Sequence, residues 1–247
     1  MVEAQGYGRL TSLALDPIEK KPISRWRPGT TVLSLGSYGC NMNCPFCQNA
    51  SIAQVNAEGT TWRDVTPEEL VSTARSLVAR RCIGIAYTYN EPLVNWEFLR
   101  DTGTLAHDAG LVNVLVSNGM ATAETLEQVA PLIDAANIDL KCFTDAAYAK
   151  LGGNLNAVRH TIQTLSALPT CHLEVTTLVV PGLSDSEEQI DAMAQWLASL
   201  DPDITYHLTR FFPQHRMADA APTPHATLQQ LEAVALRHLR HVILGNI

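Results

Sequence analysis

Seven short apolar runs alternate with longer stretches of helical spacing, and no other feature limits the possible folds of this chain so tightly. The runs are Val32 to Leu35, Ile83 to Tyr89, Val112 to Ser117, Ala136 to Leu140, Leu173 to Val180, Thr205 to Phe211 and His241 to Leu244. Strands separated by helices pair in parallel through right-handed crossovers, so the pattern predicts an α/β protein. Thr66-Pro67-Glu68-Glu69 starts a helix continuing to about Arg81, Ser184-Asp185-Ser186-Glu187 reads as a capping box, and Thr223-Pro224 precedes a helix to about Leu239. Six βα units with His241 to Leu244 as an edge strand suit an open, partial (β/α)6 TIM-like barrel better than a closed eight-stranded one. At 247 residues and 46% hydrophobic, the chain supports one sizeable core. We expect a single domain over residues 1–247, with 31–247 as the partial barrel and 1–30 as an extension packed on it.

Ligands of parallel βα folds sit at the carboxyl ends of the strands. The first such end carries Gly39-Cys40-Asn41-Met42-Asn43-Cys44-Pro45-Phe46-Cys47-Gln48-Asn49, with cysteines at spacing Cys-x3-Cys-x2-Cys. Three thiolates from one short loop can anchor three irons of a cubane and leave the fourth open to a ligand. Pro45 keeps the loop from closing into a helix, and Gly39 permits the bend at the end of the strand. Structural zinc usually uses paired Cys-x2-Cys knuckles, and there is no second pair. Disulfides are disfavoured because three adjacent cysteines cannot all pair with one another and the other three are scattered. Three merely structural cysteines is the remaining alternative.

Cys-x3-Cys-x-aromatic-Cys, here with Phe46 as the aromatic, resembles the signature of the radical S-adenosylmethionine enzymes. The run Gly36 to Asn49 is similar to that of the pyruvate formate-lyase-activating enzymes. Asp16-Pro17-Ile18-Glu19-Lys20-Lys21-Pro22 and Tyr87-Thr88-Tyr89-Asn90-Glu91-Pro92 resemble the AmmeMemoRadiSam system radical SAM enzymes more closely. The likeness, from Gly8 to Asn246, implies a partial barrel, a 4Fe-4S cluster on Cys40, Cys44 and Cys47, and bound S-adenosyl-L-methionine. It implies cofactor contacts from Phe46 and from Asn90 and Glu91, where the family has Gly-Gly-Glu and this chain keeps only the glutamate. It also places Ser117 and Asn118 near the ribose and carboxylate, Asp139 and Lys141 near the methionine carboxylate, Thr176 and Leu178 near the adenosine, and His215 near the adenine. The plainer readings stay open: a surface turn at Pro92, an Asn-Gly turn at Asn118, a solvated Asp139 and Lys141 pair, and a surface histidine. Cys142, where the family more often has glycine, is a candidate for the substrate side of the cavity, against a small buried apolar residue.

The implied activity is reductive cleavage of S-adenosylmethionine to methionine and a 5'-deoxyadenosyl radical, which abstracts hydrogen from a small-molecule or protein substrate. It requires an external one-electron reductant of flavodoxin or ferredoxin type. Two alternatives stand beside it, an activase acting on a glycine of a partner protein and a non-catalytic iron–sulfur electron-transfer module. A net charge of -8 argues against a nucleic-acid surface. No apolar run reaches membrane-spanning length, and six cysteines without a secretory signal fit a reducing, cytoplasmic setting.

Overall fold

The computed structural model describes residues 4–247. Its strands are β1 (Arg9–Leu10), β2 (Ser12–Pro17), β3 (Thr31–Gly36), β4 (Arg63–Asp64), β5 (Cys82–Tyr87), β6 (Val112–Ser117), β7 (Ala135–Asp139), β8 (His172–Val179), β9 (Thr205–Arg210) and β10 (His241–Gly245). Its helices are α1 (Ala50–Ala53), α2 (Pro67–Ser76), α3 (Trp96–Asp108), α4 (Ala123–Val129), α5 (Asp145–Lys150), α6 (Leu155–Ser166), α7 (Glu187–Leu200) and α8 (His225–Ala235). Eight strands form one sheet in the order β10-β9-β8-β7-β6-β5-β3-β2. All neighbours are parallel except β2, which runs antiparallel to β3. Because β10 and β2 do not pair with each other, the barrel is open, a partial TIM-like α/β fold.

The seven expected strands are all present, and β2 is added at the edge. Helix α2 stops at Ser76, with Val78–Arg80 as a separate 3-10 turn, although its Thr66/Glu69 capping box forms as expected. The cap of α7 is Ser186, whose side chain accepts from Gln189 N. Ser184 instead accepts from Val180 N and donates to the Leu178 carbonyl, folding the loop back on β8.

Alternation along the strands divides the interior into two layers. Leu33, Ile85, Leu115, Ile138, Val175 and Leu208 point outward into the main core beneath the helices. Val32, Ala86, Val112, Val114 and Ala135 point to the concave face, where Ile18 and Ile23 pack on them with Trp26 alongside. Residues 18–26 therefore fill the amino-terminal half of the open barrel as a strap. The strap is tied down by backbone donors from Ser24 and Arg25 to Glu174 on β8, each at 2.9 Å, and by Asn137 donating to the Pro22 carbonyl. With that half plugged, the hollow of the concave face lies at the carboxyl ends of the strands.

Candidate active site

The hollow is a cavity of about 490 Å³, a size suited to a small ligand or cofactor. Its lining joins the loop after β3 (Cys40, Cys44, Phe46, Cys47) to Asn90 and Glu91 after β5, Ser117 and Asn118 after β6, Asp139 and Lys141 at β7, and Thr176 and Leu178 on β8. Residues more than a hundred positions apart thus meet because each lies at or just beyond the carboxyl end of a parallel strand.

The cysteine loop is held by contacts at several points along it. Gly39 has φ +85°, a conformation that other residues rarely take, and its N–H donates to the Ile52 carbonyl. Asn43 N donates to the Leu151 carbonyl, Gln54 to the Met42 carbonyl, and Arg216 to both oxygens of Asn43 at 2.6 and 2.7 Å. Cys40 Sγ accepts from Met42 N at 3.3 Å and from Asn118 Nδ2 at 3.5 Å. Burial pushes the Cys40 thiol up to about 11 and raises that of Cys44, so both are thiols until a metal displaces the proton. All six cysteines are free. Among the described residues no three His, Cys, Asp or Glu side chains gather as a site for one metal ion, whereas a cubane takes each thiolate on a different iron.

Glu91 is the most constrained carboxylate of the lining. One oxygen accepts from Ser117 Oγ at 2.7 Å and Leu93 N at 2.9 Å, and the other from Asn118 N at 2.8 Å. Burial pushes its pKa up to about 7 despite these donors. The Ser117 hydroxyl gives its proton to Glu91 and accepts from Gly119 N, while the Asn118 side chain bridges Cys40, Asn41 and Met120 N. Both side chains are thus engaged in bracing the site. Asn90 is used similarly, accepting from Ser37 N and donating to the Tyr38 and Gly39 carbonyls. Lys141 and Asp139 pair at 2.7 Å. Burial opposes the Lys141 charge, but the charge and hydrogen bond of Asp139 outweigh it and hold the pKa above the ordinary lysine value. Thr176 Oγ1 is a buried hydroxyl with no hydrogen-bond partner. Thr176 itself lines the cavity, so a group bound there has a buried, orphaned polar atom of the same residue beside it to satisfy.

Two expected residues lie elsewhere. Cys142 is fully buried in the main core, because the alternation at the end of β7 turns it away from the Lys141 side. Its thiol does not reach the cavity. His215 is exposed, with φ +51°, and is not part of the lining. The neighbouring Arg216 is the residue of that segment that docks on the cysteine loop.

Several lining residues were given no role in the site by the sequence, among them Thr209, Asn246 and, although their motifs were recognised, Lys20, Lys21 and Tyr89. Tyr89, which stands where the Gly-Gly-Glu pattern has a glycine, has φ +71°, a left-handed backbone that glycine adopts freely. Its hydroxyl donates to Asp16 at 2.6 Å, and its ring lies under the Lys21 ammonium at 4.6 Å. Both departures from the activating-enzyme pattern, in the strap and after β5, therefore belong to one contact.

The family model of the radical SAM superfamily matches residues 35–197, from β3 through most of α7. This chain belongs to that superfamily. The uncharacterized protein MJ0808 of Methanocaldococcus jannaschii is 37% identical over 246 residues, 99% of this chain and 72% of that protein. MJ1227 of the same organism, provisionally named a glycyl-radical enzyme activating enzyme, is 25% identical over 223 residues, 85% of this chain and 87% of that one. QueE of Escherichia coli shares the fold, with a TM-score of 0.62 at 12% identity over 96% of this chain and 93% of that one. Radical SAM proteins bind a 4Fe-4S cluster through three cysteines, together with S-adenosylmethionine. The residues present fit both groups: three free thiols on one loop, two of them with N–H donors or a cation close by, and beside them a cavity bordered by an unpaired hydroxyl. Among the described residues no helix is long and apolar enough to cross a membrane.

Proposed function

We propose that this chain is an oxidoreductase that uses S-adenosylmethionine and a 4Fe-4S cluster to abstract hydrogen from a substrate. The observation that carries the reading is the meeting, on one cavity, of Cys40, Cys44 and Cys47 with Glu91, Asp139, Lys141 and the unpaired Thr176 hydroxyl. When bound, the cluster and S-adenosylmethionine supply a hydrogen-abstracting carbon radical through one-electron reduction of the sulfonium. Every other part of the work falls to the protein.

Cys40, Cys44 and Cys47 would hold the cluster, with Asn118 and Met42 N donating to the Cys40 sulfur. Glu91, locked by three donors, offers the one lone pair left on its second oxygen to the methionine ammonium, whose charge would keep it ionised. Lys141 offers a compact charge to the methionine carboxylate. Thr176 and Leu178 supply a hydroxyl and an apolar surface for the adenosine, and Phe46 covers the loop. Ser117, Asn118 and Asn90 fix these groups in place. Fixed geometry is what such chemistry asks of a protein, since a misplaced radical reacts with whatever lies nearest. A one-electron donor of flavodoxin or ferredoxin type and a reducing, cytoplasmic setting go with this role.

The likeness to MJ1227 favours a second reading, in which the hydrogen comes from a glycine of a partner protein. A glycyl radical signal in that partner, formed only with this chain, reductant and S-adenosylmethionine, would establish it. For the primary reading, anaerobically reconstituted protein given dithionite and S-adenosylmethionine should release methionine and 5'-deoxyadenosine. Cys44→Ala should abolish both the visible absorbance of the cluster and the products. Protein that takes up zinc in this loop, or a cluster whose spectrum ignores added S-adenosylmethionine, would reduce the chain to an electron-transfer or metal-binding module.

A further inference from the structure

The cavity lining includes two lysines that the cofactor reading leaves unused. Lys20 and Lys21 stand side by side on the strap, and a single carboxylate, Asp16, serves both. Asp16 is already committed: its Oδ2 receives the Tyr89 hydroxyl at 2.6 Å and the Lys21 ammonium at 2.9 Å. The Lys21 side chain is only 3% exposed and is further held over the Tyr89 ring. Lys20 is left with a marginal contact of 3.5 Å to Oδ1 and a side chain 67% exposed.

The remaining charges of the lining do not compensate it. Asp139 and Lys141 neutralise each other at 2.7 Å, and Glu91, held by three neutral donors after β5, forms no ion pair with either strap lysine among the described residues. Two ammoniums against one carboxylate leave about one positive charge at this part of the cavity, and it resides on Lys20. The chain accepts an unfavourable backbone at Tyr89 and a buried lysine to hold the arrangement, and such costs collect where a site must be rigid.

We propose that the substrate is a small molecule with a carboxylate or phosphate group, which Lys20 receives in the cavity. Asp16, Lys21 and Tyr89 are positioning residues that fix the strap beneath it. This rests on the cavity being the radical SAM site described above.

Amine acylation of the reconstituted protein, resolved by mass spectrometry at each lysine, tests the contact directly. Inorganic phosphate or acetate at low salt should slow labelling of Lys20 by about threefold or more relative to exposed Lys150, and ethylene glycol should not. The stronger of the two anions identifies the group. In calorimetry Lys20→Gln should weaken anion binding about tenfold, the loss of one charge-assisted hydrogen bond, and Lys20→Arg should restore it. Tyr89→Phe should weaken it several-fold with Lys20 intact, because Asp16, freed of the hydroxyl, then competes for Lys20. Equal labelling of Lys20 with and without anions, or equal affinity in Lys20→Gln, overturns the proposal. The affinity of the same wild-type sample for S-adenosylmethionine separates the failures. Binding of S-adenosylmethionine without an anion effect sinks this inference alone, and no binding sinks the cofactor reading.

Discussion

At Tyr89 a bulky side chain holds a backbone that glycine adopts freely, at a cost of about 1–2 kcal/mol. What offsets it is the hydroxyl's hydrogen bond to the buried Asp16 carboxylate, which together with Lys21 holds that acid well below its usual range against the opposing effect of burial. Tyr89→Phe keeps the ring and the strained backbone but leaves Asp16 short of a donor. It should lower stability to urea by about 1.5–3 kcal/mol with an unchanged denaturant slope. The role of Tyr89 was not legible in the sequence, because its partner lies 73 residues earlier and nothing local distinguishes it from a surface turn. Glu91 was legible through its motif, but the depth of its burial was not. Its pKa, raised from 4.5 to about 7, means that the folded protein keeps a proton which the unfolded chain gives up. Stability of the cluster-free protein should therefore fall as pH rises from 4.5 through about 7, and Glu91→Gln should flatten that part of the profile. A profile unchanged by the substitution would mean that the carboxylate is solvated.

Among the elements, the strands following periodic apolar runs were readable, because a fully buried parallel strand declares itself through unbroken Val, Ile and Leu. Strand β2 was not, since Ser12–Pro17 is half exposed and pairs at an edge. The strap is the element whose path the sequence conceals most completely. Its apolar residues are only Ile18, Ile23 and Trp26, and what fixes it is Glu174, a charged residue in the middle of a strand. Glu174 is wholly buried, accepts from Ser24 N and Arg25 N, and contacts His172 at 2.9 Å and His207 at 2.5 Å. Burial would raise its pKa, but the two imidazoles and two backbone donors bring it down to about 2 from 4.5. A depressed carboxylate contributes stability that is fully present above 4.5 and lost as pH falls toward 2. The contribution is on the order of 3 kcal/mol. Glu174→Gln should remove this acid-sensitive portion and release the strap, seen as proteolytic cleavage between Pro22 and Arg27 while the helices stay protected. If the strap resists protease in that variant, its apolar contacts alone are sufficient.

For the molecule as a whole, the cysteine loop is rooted in the main core through Met42, Cys44 and Phe46, while Cys40 and Cys47 pack against its edge. These anchors are protein contacts, and the strands and helices pack without anything between the thiols. The loop is positioned by protein contacts, Arg216 to Asn43 and Gly39 to Ile52 among them, so protein stripped of iron should keep its helical circular dichroism and a cooperative melt. Linkage then makes cofactor binding readable as stability. A ligand at a hundred times its dissociation constant adds about 2.7 kcal/mol, which for a chain of this length raises the melting temperature by roughly 5–10 °C. We expect that increase with S-adenosylmethionine on cluster-loaded protein and little or none on iron-free protein. On the proposed reading, Glu91 and Lys141 alone would give the methionine end two charged contacts in a water-accessible cavity, too few to hold it at working concentrations. An equal increase in both forms would show that the protein side chains grip the cofactor without help. In that case the open iron would have a part in the chemistry but none in the affinity, and the melt of Lys141→Met would show which side chain provides the grip.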